Sequence, residues 1–391
     1  MHFILFDGDR RESLLPLTYT RPVADIRTGI LTLREKWEKR LGSPVGVLTK
    51  GYLQKKFPVL SGTDNFLIKA SLLADDDLAK AVLQLEMGEG LFSEDRLLAC
   101  RTPHIEGFKP TDAFKRVDYG KPYGEICHTW DIFSLNGEAM ETDFQLLTAG
   151  RKSAPISETN RVSHPNRIFL EEGAEVEHSV LNASSGPIYI GANAQVMEGC
   201  LIRGGFALGA HGVVKMGAKI YGPTTAGPYC KIGGEINNSV LFGYSNKGHD
   251  GFLGNAVLGE WCNLGADTNN SNLKNNYAKV RLWNYASGRF DQTGLQFCGL
   301  IMGDHSKSAI NTMFNTGTVV GVNCNIFASG FPRNFIPSFS WGGTSGFSTY
   351  LPEKAFEAAR VAMQRRGVTF TAEDEALMLE IFEMSKTYRK A

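Results

Sequence analysis

Ile190-Gly191-Ala192-Asn193-Ala194-Gln195-Val196 opens a stretch in which one aliphatic side chain returns every six residues: Ile190, Val196, Ile202, Leu208, Val214, Ile220, Ala226 and Ile232. Upstream, Leu170 and Val176 keep the same step, and a two-residue insertion near Gly186-Pro187 shifts the phase before Ile190. The step resumes at Leu258 and Leu264, each followed by glycine, and again at Met302, Ser308, Phe314, Val320 and Ile326. Six is neither the 3.6 of a helix nor the simple alternation of a half-buried strand. It suits a chain wound as a three-sided coil, each side a short strand with one aliphatic side chain on the axis. A sandwich of short strands with glycine turns is the competing reading, but sandwich strands do not hold a six-residue phase over eight repeats.

Glycine or other small residues are expected at the corners of such a coil, where side chains obstruct tight turns. Each coil buries its aliphatic residue only against the coils above and below, so the ends need caps or fused elements. The pattern resembles the hexapeptide-repeat left-handed parallel β-helix.

Working outward from the repeat, the N-terminal third has a different grammar. Phe3 to Phe6 is an all-apolar run suited to a buried parallel strand, and a polar loop follows from Asp7 to Glu12. Ile30, Leu33, Trp37 and Leu41 mark one face of a helix that stops at Gly42. Residues 44–49 and 66–68 read as further strands and 78–85 as a helix. This alternation predicts an α/β, Rossmann-like domain over residues 1–130. A linker helix is expected within 131–155, the β-helix over 156–345, and a helical tail over 346–391 that covers the open end of the coil. In the tail, Thr371-Ala372-Glu373-Asp374 resembles a capping box.

Composition narrows the function. The 391 residues carry 41 Lys plus Arg against 41 Asp plus Glu, so no global cationic field draws in nucleic acid or an anionic membrane, and phosphate binding has to be local. The seven cysteines are scattered without a Cys-x-x-Cys pair and read as small buried hydrophobes. No apolar run reaches the roughly 20 residues that span a bilayer, and no basic leader precedes Phe3; the expected location is the cytoplasm. No histidine, cysteine or carboxylate spacing predicts a metal site.

The six-residue phase breaks at Gly243-Tyr244-Ser245-Asn246-Lys247-Gly248-His249-Asp250-Gly251-Phe252, a Gly/Asn/Ser-rich loop with one histidine set into a rigid scaffold. This stretch resembles the acetyltransferase half of the bifunctional N-acetylglucosamine-1-phosphate uridyltransferase/glucosamine-1-phosphate acetyltransferase family, which has a Ser-Lys-x-Gly-His segment followed by a Leu-Gly-Asp-x-x-Ile-Gly run. The resemblance places His249 on the catalytic base. A histidine's ordinary pKa of about 6.5 suits removal of a proton from an amine attacking a thioester. Without that context, His249 reads as a turn residue. Asn272 matches a substrate-pocket asparagine, whereas Phe252 and Leu273 stand where the family has tyrosines and Asn237 where it has a lysine. Lys231 or Lys247 then serve as replacement phosphate contacts, and Lys274 as a contact to phosphate or coenzyme A.

Leu14-Leu15-Pro16-Leu17-Thr18-Tyr19-Thr20-Arg21-Pro22 resembles the Leu-x-Pro-Leu-Thr-x-x-x-Pro stretch of sugar-phosphate nucleotidyltransferases. The preceding phosphate loop carries one glycine, in Asp7-Gly8-Asp9-Arg10-Arg11, and Val23 takes the place of the family lysine. Asp7, Gly8, Arg10 and Arg21 are the implied nucleotide contacts, with Asp75 to Asp77 as candidate holders of Mg²⁺ or simply an acidic helix start. Trp130-Asp131-Ile132-Phe133 resembles the boundary between the two halves of the bifunctional enzymes. Nearly the whole chain is similar to the GlmU-like sugar nucleotidyltransferase proteins of Bacteroidetes.

The resemblance implies a homotrimeric enzyme of sugar-nucleotide biosynthesis that uses acetyl-CoA, an amino-sugar phosphate such as glucosamine-1-phosphate, and a nucleoside triphosphate with Mg²⁺ to form UDP-N-acetylglucosamine. Two alternatives stay open. One is a uridylyl- or thymidylyltransferase whose β-helix only assembles the oligomer; the other is a non-catalytic regulator with a degraded nucleotide site.

Overall fold

The six-residue step closes into a coil because three sides of six residues return the chain to the same face one layer on. In the computed structural model, which describes residues 1–111, 113–327 and 329–389, Leu208 lies in parallel register with Ile190, and Ala226 with Leu208. Among the described residues one face stacks nine strands, from Ile168–Leu170 to Phe335–Ile336. A second face stacks ten, from Glu175–Val176 to the terminal hairpin Ser340–Gly343 and Gly346–Thr349. A third runs from Arg161–Ser163 to Phe252–Gly254 in six strands, with Asn269–Asn270 and Met313–Phe314 paired beyond it. The axial side chains, among them Val196, Ile202, Leu208, Val214, Ile220 and Ile232, are almost fully buried in one continuous core. Each such aliphatic contributes about 1.5–3 kcal/mol of burial.

The corners depart from the expectation of small residues. His211, Tyr229, Tyr244, Trp261 and His305 all occupy the left-handed region, with φ between 54° and 60°. Their rings stack in sequence, with centroid separations of 4.7, 5.0, 4.2 and 6.1 Å. The left-handed backbone costs roughly 1–2 kcal/mol per non-glycine residue, and each aromatic pair returns about 0.5–1.5 kcal/mol beyond its burial. The two effects are of the same size, so a column of rings replaces glycine at this corner.

A long excursion leaves the coil between Asn270 and Leu300 and contains the hairpin Arg281–Asn284 and Arg289–Gln292. Two helices follow the coil, Pro352–Gln364 and Ala372–Met384. The second starts on a capping box in which Thr371 and Asp374 exchange side-chain to backbone bonds.

The chain divides into two compact units. The first holds a six-stranded sheet in the order Val45–Leu48, His2–Phe6, Asn65–Lys69, Arg96–Thr102, Glu89–Ser93, Lys115–Asp118. The first three strands are parallel, as expected for buried apolar runs, and Arg96–Thr102 joins antiparallel. Helix Leu33–Leu41 opens on a Thr32/Glu35 capping box and ends at Gly42, whose φ of 62° favours glycine. The second unit holds residues from Thr129 onward together with Leu15–Tyr19 and Arg27–Ile30. These short pieces are bonded into it: Arg27 Nε donates to the Phe242 carbonyl at 3.0 Å, and Thr225 Oγ1 donates to the Gly29 carbonyl at 2.8 Å. The division thus falls within the Pro16 to Pro22 run, with Thr20–Ile26 in the first unit. Helices Asp131–Ser134 and Asn136–Thr148 lead into the coil.

Candidate active site

His249 lies at the corner where strand Asn246–Lys247 of the second face turns into Phe252–Gly254 of the third. The loop is anchored from inside the coil. Lys247 pairs in register with Ile232, so it occupies an axial position that elsewhere holds an aliphatic residue. Its side chain is 1% exposed, and its Nζ donates to the carbonyls of Gly233, His249 and Asp250 at 3.1, 2.5 and 3.2 Å. Burial pushes its pKa down to about 8, with Asp250 and Asp267 opposing the shift. The lysine therefore acts as an internal strut that fixes the backbone on which His249 sits, and its ammonium is turned away from any external phosphate. Gly251 closes the loop at φ 109°, where a Cβ would stand 2.3 Å from the Thr268 carbonyl.

His249 lines a cleft of about 1460 Å³ within the second unit. One wall is the second face of the coil, including Lys215, Lys231, Asn246 and Asn263; the aromatic column supplies Tyr244 and Trp261. The opposite wall is helix Pro352–Gln364 and the residues just after it, with Lys354, Val361, Arg365 and Arg366. Arg366 Nη2 donates to Asn246 Oδ1 at 3.0 Å and so ties the end of that helix to the strand preceding His249. Burial, then the like charges of Arg366, Lys215 and Arg365, hold the Lys231 ammonium below its ordinary pKa.

The structure brings together some of the expected site residues and separates others. His249 and Lys231 share the cleft. Phe252 and Asn272 lie next to each other around Gly254, outside the cleft lining, and Asn272 Nδ2 donates to Asn255 Oδ1 at 2.8 Å. Lys274 Nζ donates to the Lys279 carbonyl at 3.3 Å and is also outside that lining. Beneath Phe252, Asn269 and Asn270 replace the ladder of the next coil: their Oδ1 atoms accept from the Phe252 and Gly254 amides at 2.7 and 2.8 Å. Lys215, Tyr244, Trp261, Arg365 and Arg366 were not singled out from the sequence as site residues. An arginine pair at the end of an amphipathic helix looks like any solvated terminus until the chain folds back.

In the first unit the side chains of the expected nucleotide loop are engaged by neighbouring residues, although Asp9 stays exposed. Asp7 is buried, accepting from the Val23 amide at 2.8 Å and the Thr49 hydroxyl at 2.5 Å, and burial raises its pKa against these bonds. Gly8 has φ 62°, and a Cβ there would meet the Lys69 side chain at 3.3 Å. Lys69 Nζ bridges Asp9 at 2.7 Å and Glu125 at 2.8 Å, while Arg10 Nε lies 3.5 Å from Glu125. Arg21 is buried. The aspartates considered for Mg²⁺ do not converge: Asp75 caps a helix, Asp76 pairs with Arg40, and Asp77 pairs with Lys121. Among the described residues no group of three or more His, Cys, Asp or Glu side chains gathers in a metal-holding arrangement. No helix among them is long and apolar enough to cross a membrane.

Comparison with known proteins adds the following. A UDP-N-acetylglucosamine acyltransferase from Arabidopsis is 14% identical, with 60% of this chain and 82% of that one covered at a TM-score of 0.30. The Campylobacter jejuni UDP-N-acetylglucosamine acyltransferase is also 14% identical, covering 60% and 83% at 0.26. AntD, an N-acyltransferase from Bacillus cereus solved with dTDP and 3-hydroxybutyryl-CoA, is 12% identical, covering 54% and 87% at 0.23. No curated protein matches the chain at a significant level. Residues 3–152 match the family described as "Sugar nucleotidyl transferase", a match that takes in the α/β unit and the helices leading to the coil.

Proposed function

We propose that the β-helix unit transfers an acetyl group from acetyl-CoA to the amine of an amino-sugar phosphate, glucosamine-1-phosphate foremost, with His249 as the general base. The observation that carries this reading is that His249, on an internally braced loop, lines a cleft of about 1460 Å³. That volume exceeds the ordinary range of about 300–1,000 Å³ for small-ligand pockets, as a site for two substrates requires. In the reaction the amine attacks the thioester carbonyl, the C–N bond forms, and the C–S bond breaks. The imidazole takes the ammonium proton of the tetrahedral intermediate, and the departing thiolate recovers a proton. Gly248 lines the same cleft and lets backbone approach the developing oxyanion. Lys231, in the same cleft, is a candidate contact for a substrate phosphate.

The N-terminal family match supports a link to sugar nucleotides. Because the three aspartates are committed to a cap and two ion pairs, no Mg²⁺-dependent step is assigned to that unit. A cytoplasmic homotrimer remains part of the proposal. The test is coenzyme A thiol release with a panel of amino-sugar phosphates, for wild type and His249→Ala. Loss of a general base lowers kcat by about 10²–10⁴-fold; equal release from both proteins removes His249 from the role.

A further inference from the structure

Basic side chains outnumber acidic ones in the cleft lining. Lys215 and Lys231 project from the second face of the coil, and Arg365 and Arg366 from the end of the helix opposite. None of these four forms an ion pair among the described residues; the cleft's one acidic lining residue, Glu357, is paired with Lys354 at 3.4 Å. Their mutual closeness is registered in Lys231, whose ammonium is disfavoured by burial and by each of the other three charges. Arg366 is held in place by Asn246, so the gathering of like charge is built into the fold. Four cations facing one cavity are unfavourable unless a multiply charged anion joins them.

We propose that Lys215, Lys231, Arg365 and Arg366 form a phosphate subsite assembled jointly by the coil and the C-terminal helix, and that it takes the polyphosphorylated end of a nucleotide-bearing ligand. The helical tail is then one half of a binding site as well as a cover for the coil. Guanidinium forks suit bidentate capture of phosphate oxygens, and the two lysines supply point charges from the facing wall. A single sugar phosphate brings fewer charges than the subsite offers; a nucleoside diphosphate or a phosphorylated adenosine diphosphate matches it better. Two sources share this chemistry, the coenzyme A donor and a nucleotide-linked acceptor. The inference rests on the acyl-transfer reading for the identity of the donor, but the anion subsite stands on the charges alone.

Binding to the full chain is measured by calorimetry with coenzyme A, adenosine 3′,5′-bisphosphate and UDP. Wild type is compared with Arg365→Gln/Arg366→Gln and, separately, with Lys215→Gln on the opposite wall, each checked for an unchanged far-UV spectrum. The expected result is binding that weakens at least about tenfold in the double variant and severalfold in Lys215→Gln, since a hydrogen bond to a charged group contributes about 1.5–3 kcal/mol. Preference for the two adenosine ligands assigns the subsite to the donor; preference for UDP assigns it to the acceptor. Either supports the proposal. Equal affinities across the three proteins, or no binding of any of the three ligands, overturns it. Coenzyme A thiol release by wild type and His249→Ala is measured alongside. Equal release from the two proteins there counts against the His249 reading and leaves the binding result to judge the subsite.

Discussion

Replacing Lys247 by methionine isolates the effect of a charge placed on the axis of the coil. The ammonium is 1% exposed, and its pKa lies at about 8, against 10.5 for an ordinary lysine. A folded-state pKa below the unfolded value means that the unfolded chain binds the proton more tightly between those two values, so wild-type stability rises with pH through that window. Below pH 8 the full penalty is present, about 3 kcal/mol at 1.36 kcal/mol per pKa unit. By pH 9.5 roughly 2 kcal/mol of it has been relieved, because the neutral amine dominates in the fold and the ammonium in the unfolded chain. Lys247→Met has no such group, and the contributions of other titrating residues cancel when the two proteins are compared. Urea unfolding of the coil, followed by tryptophan fluorescence at pH 7.0 and 9.5, should therefore show wild type gaining about 2 kcal/mol relative to the variant. Parallel stabilities across this range would refute the assignment of a buried, charge-penalised strut. The same variant removes the lysine donor from the carbonyls of Gly233 and His249, while the Asp250 carbonyl keeps the Asp267 amide. Acetyl transfer should fall at pH 7 even where stability is unchanged.

Other consequences are equally direct. Gly251→Ala places a Cβ against the Thr268 carbonyl at φ 109° and should displace the His249 loop, with coenzyme A release falling at least tenfold while the melting transition moves by only a few degrees. At Trp261, φ 60° makes glycine the better of two truncations: Trp261→Gly should exceed Trp261→Ala by about 1 kcal/mol in urea unfolding, although both lose the 4.2 Å stack on Tyr244. The reverse order would show that the corner is free to relax. In the first unit, burial would raise the Glu125 pKa, but Lys69, Ser71 and Arg96 together hold it below the ordinary value. Its stabilisation is present above the unfolded carboxylate range and disappears as pH falls through the folded pKa. Glu125→Ala should cost about 3 kcal/mol at pH 7, and progressively less as the pH is lowered through the folded pKa, in unfolding followed on that unit. A pH-independent cost would deny the ion pair.

The coil was legible because its physics is periodic. Ile190, Val196 and Ile202 each repeat one environment, and that environment tolerates one class of side chain. The first three parallel strands were legible for a related reason, since Phe3 to Phe6 and Phe66 to Ile68 are apolar on both faces. The other half of that sheet, with its one antiparallel strand Arg96–Thr102, escaped. Glu89–Ser93 and Lys115–Asp118 mix charge and glycine into short strands, and pairing rather than composition defines them. Lys247 misled in a different way. A lysine beside a candidate histidine suggests a ligand contact, and only the register with Ile232 reveals that its side chain points to the axis. The large corner residues escaped because the rule that corners need small side chains considers steric cost alone. Tyr229, Tyr244 and Trp261 meet that cost by stacking on one another, an interaction between residues a full coil apart.

The second half of the site was hidden for a topological reason. His249 and Arg366 are separated by more than a hundred residues, and nothing local to Arg365 or Arg366 distinguishes them from the basic end of an ordinary amphipathic helix. Their meaning comes from where the hairpin Ser340–Gly343 and Gly346–Thr349 directs the chain. That hairpin extends the second face antiparallel, Tyr350 and Leu351 join the cleft lining, and the following helix supplies the wall opposite Lys215 and Lys231. A parallel β-helix by itself presents flat faces, which hold a small ligand poorly. A cleft requires a second wall, and here the same chain provides it through the tail. Tail residues and the His249 loop should accordingly respond together to a ligand: Arg366 bonds Asn246, Asn246 precedes Lys247 in the same short strand, and Lys247 holds the His249 carbonyl. An anion drawn to Arg365 and Arg366 thus acts on a hydrogen-bonded path that ends at the proposed base.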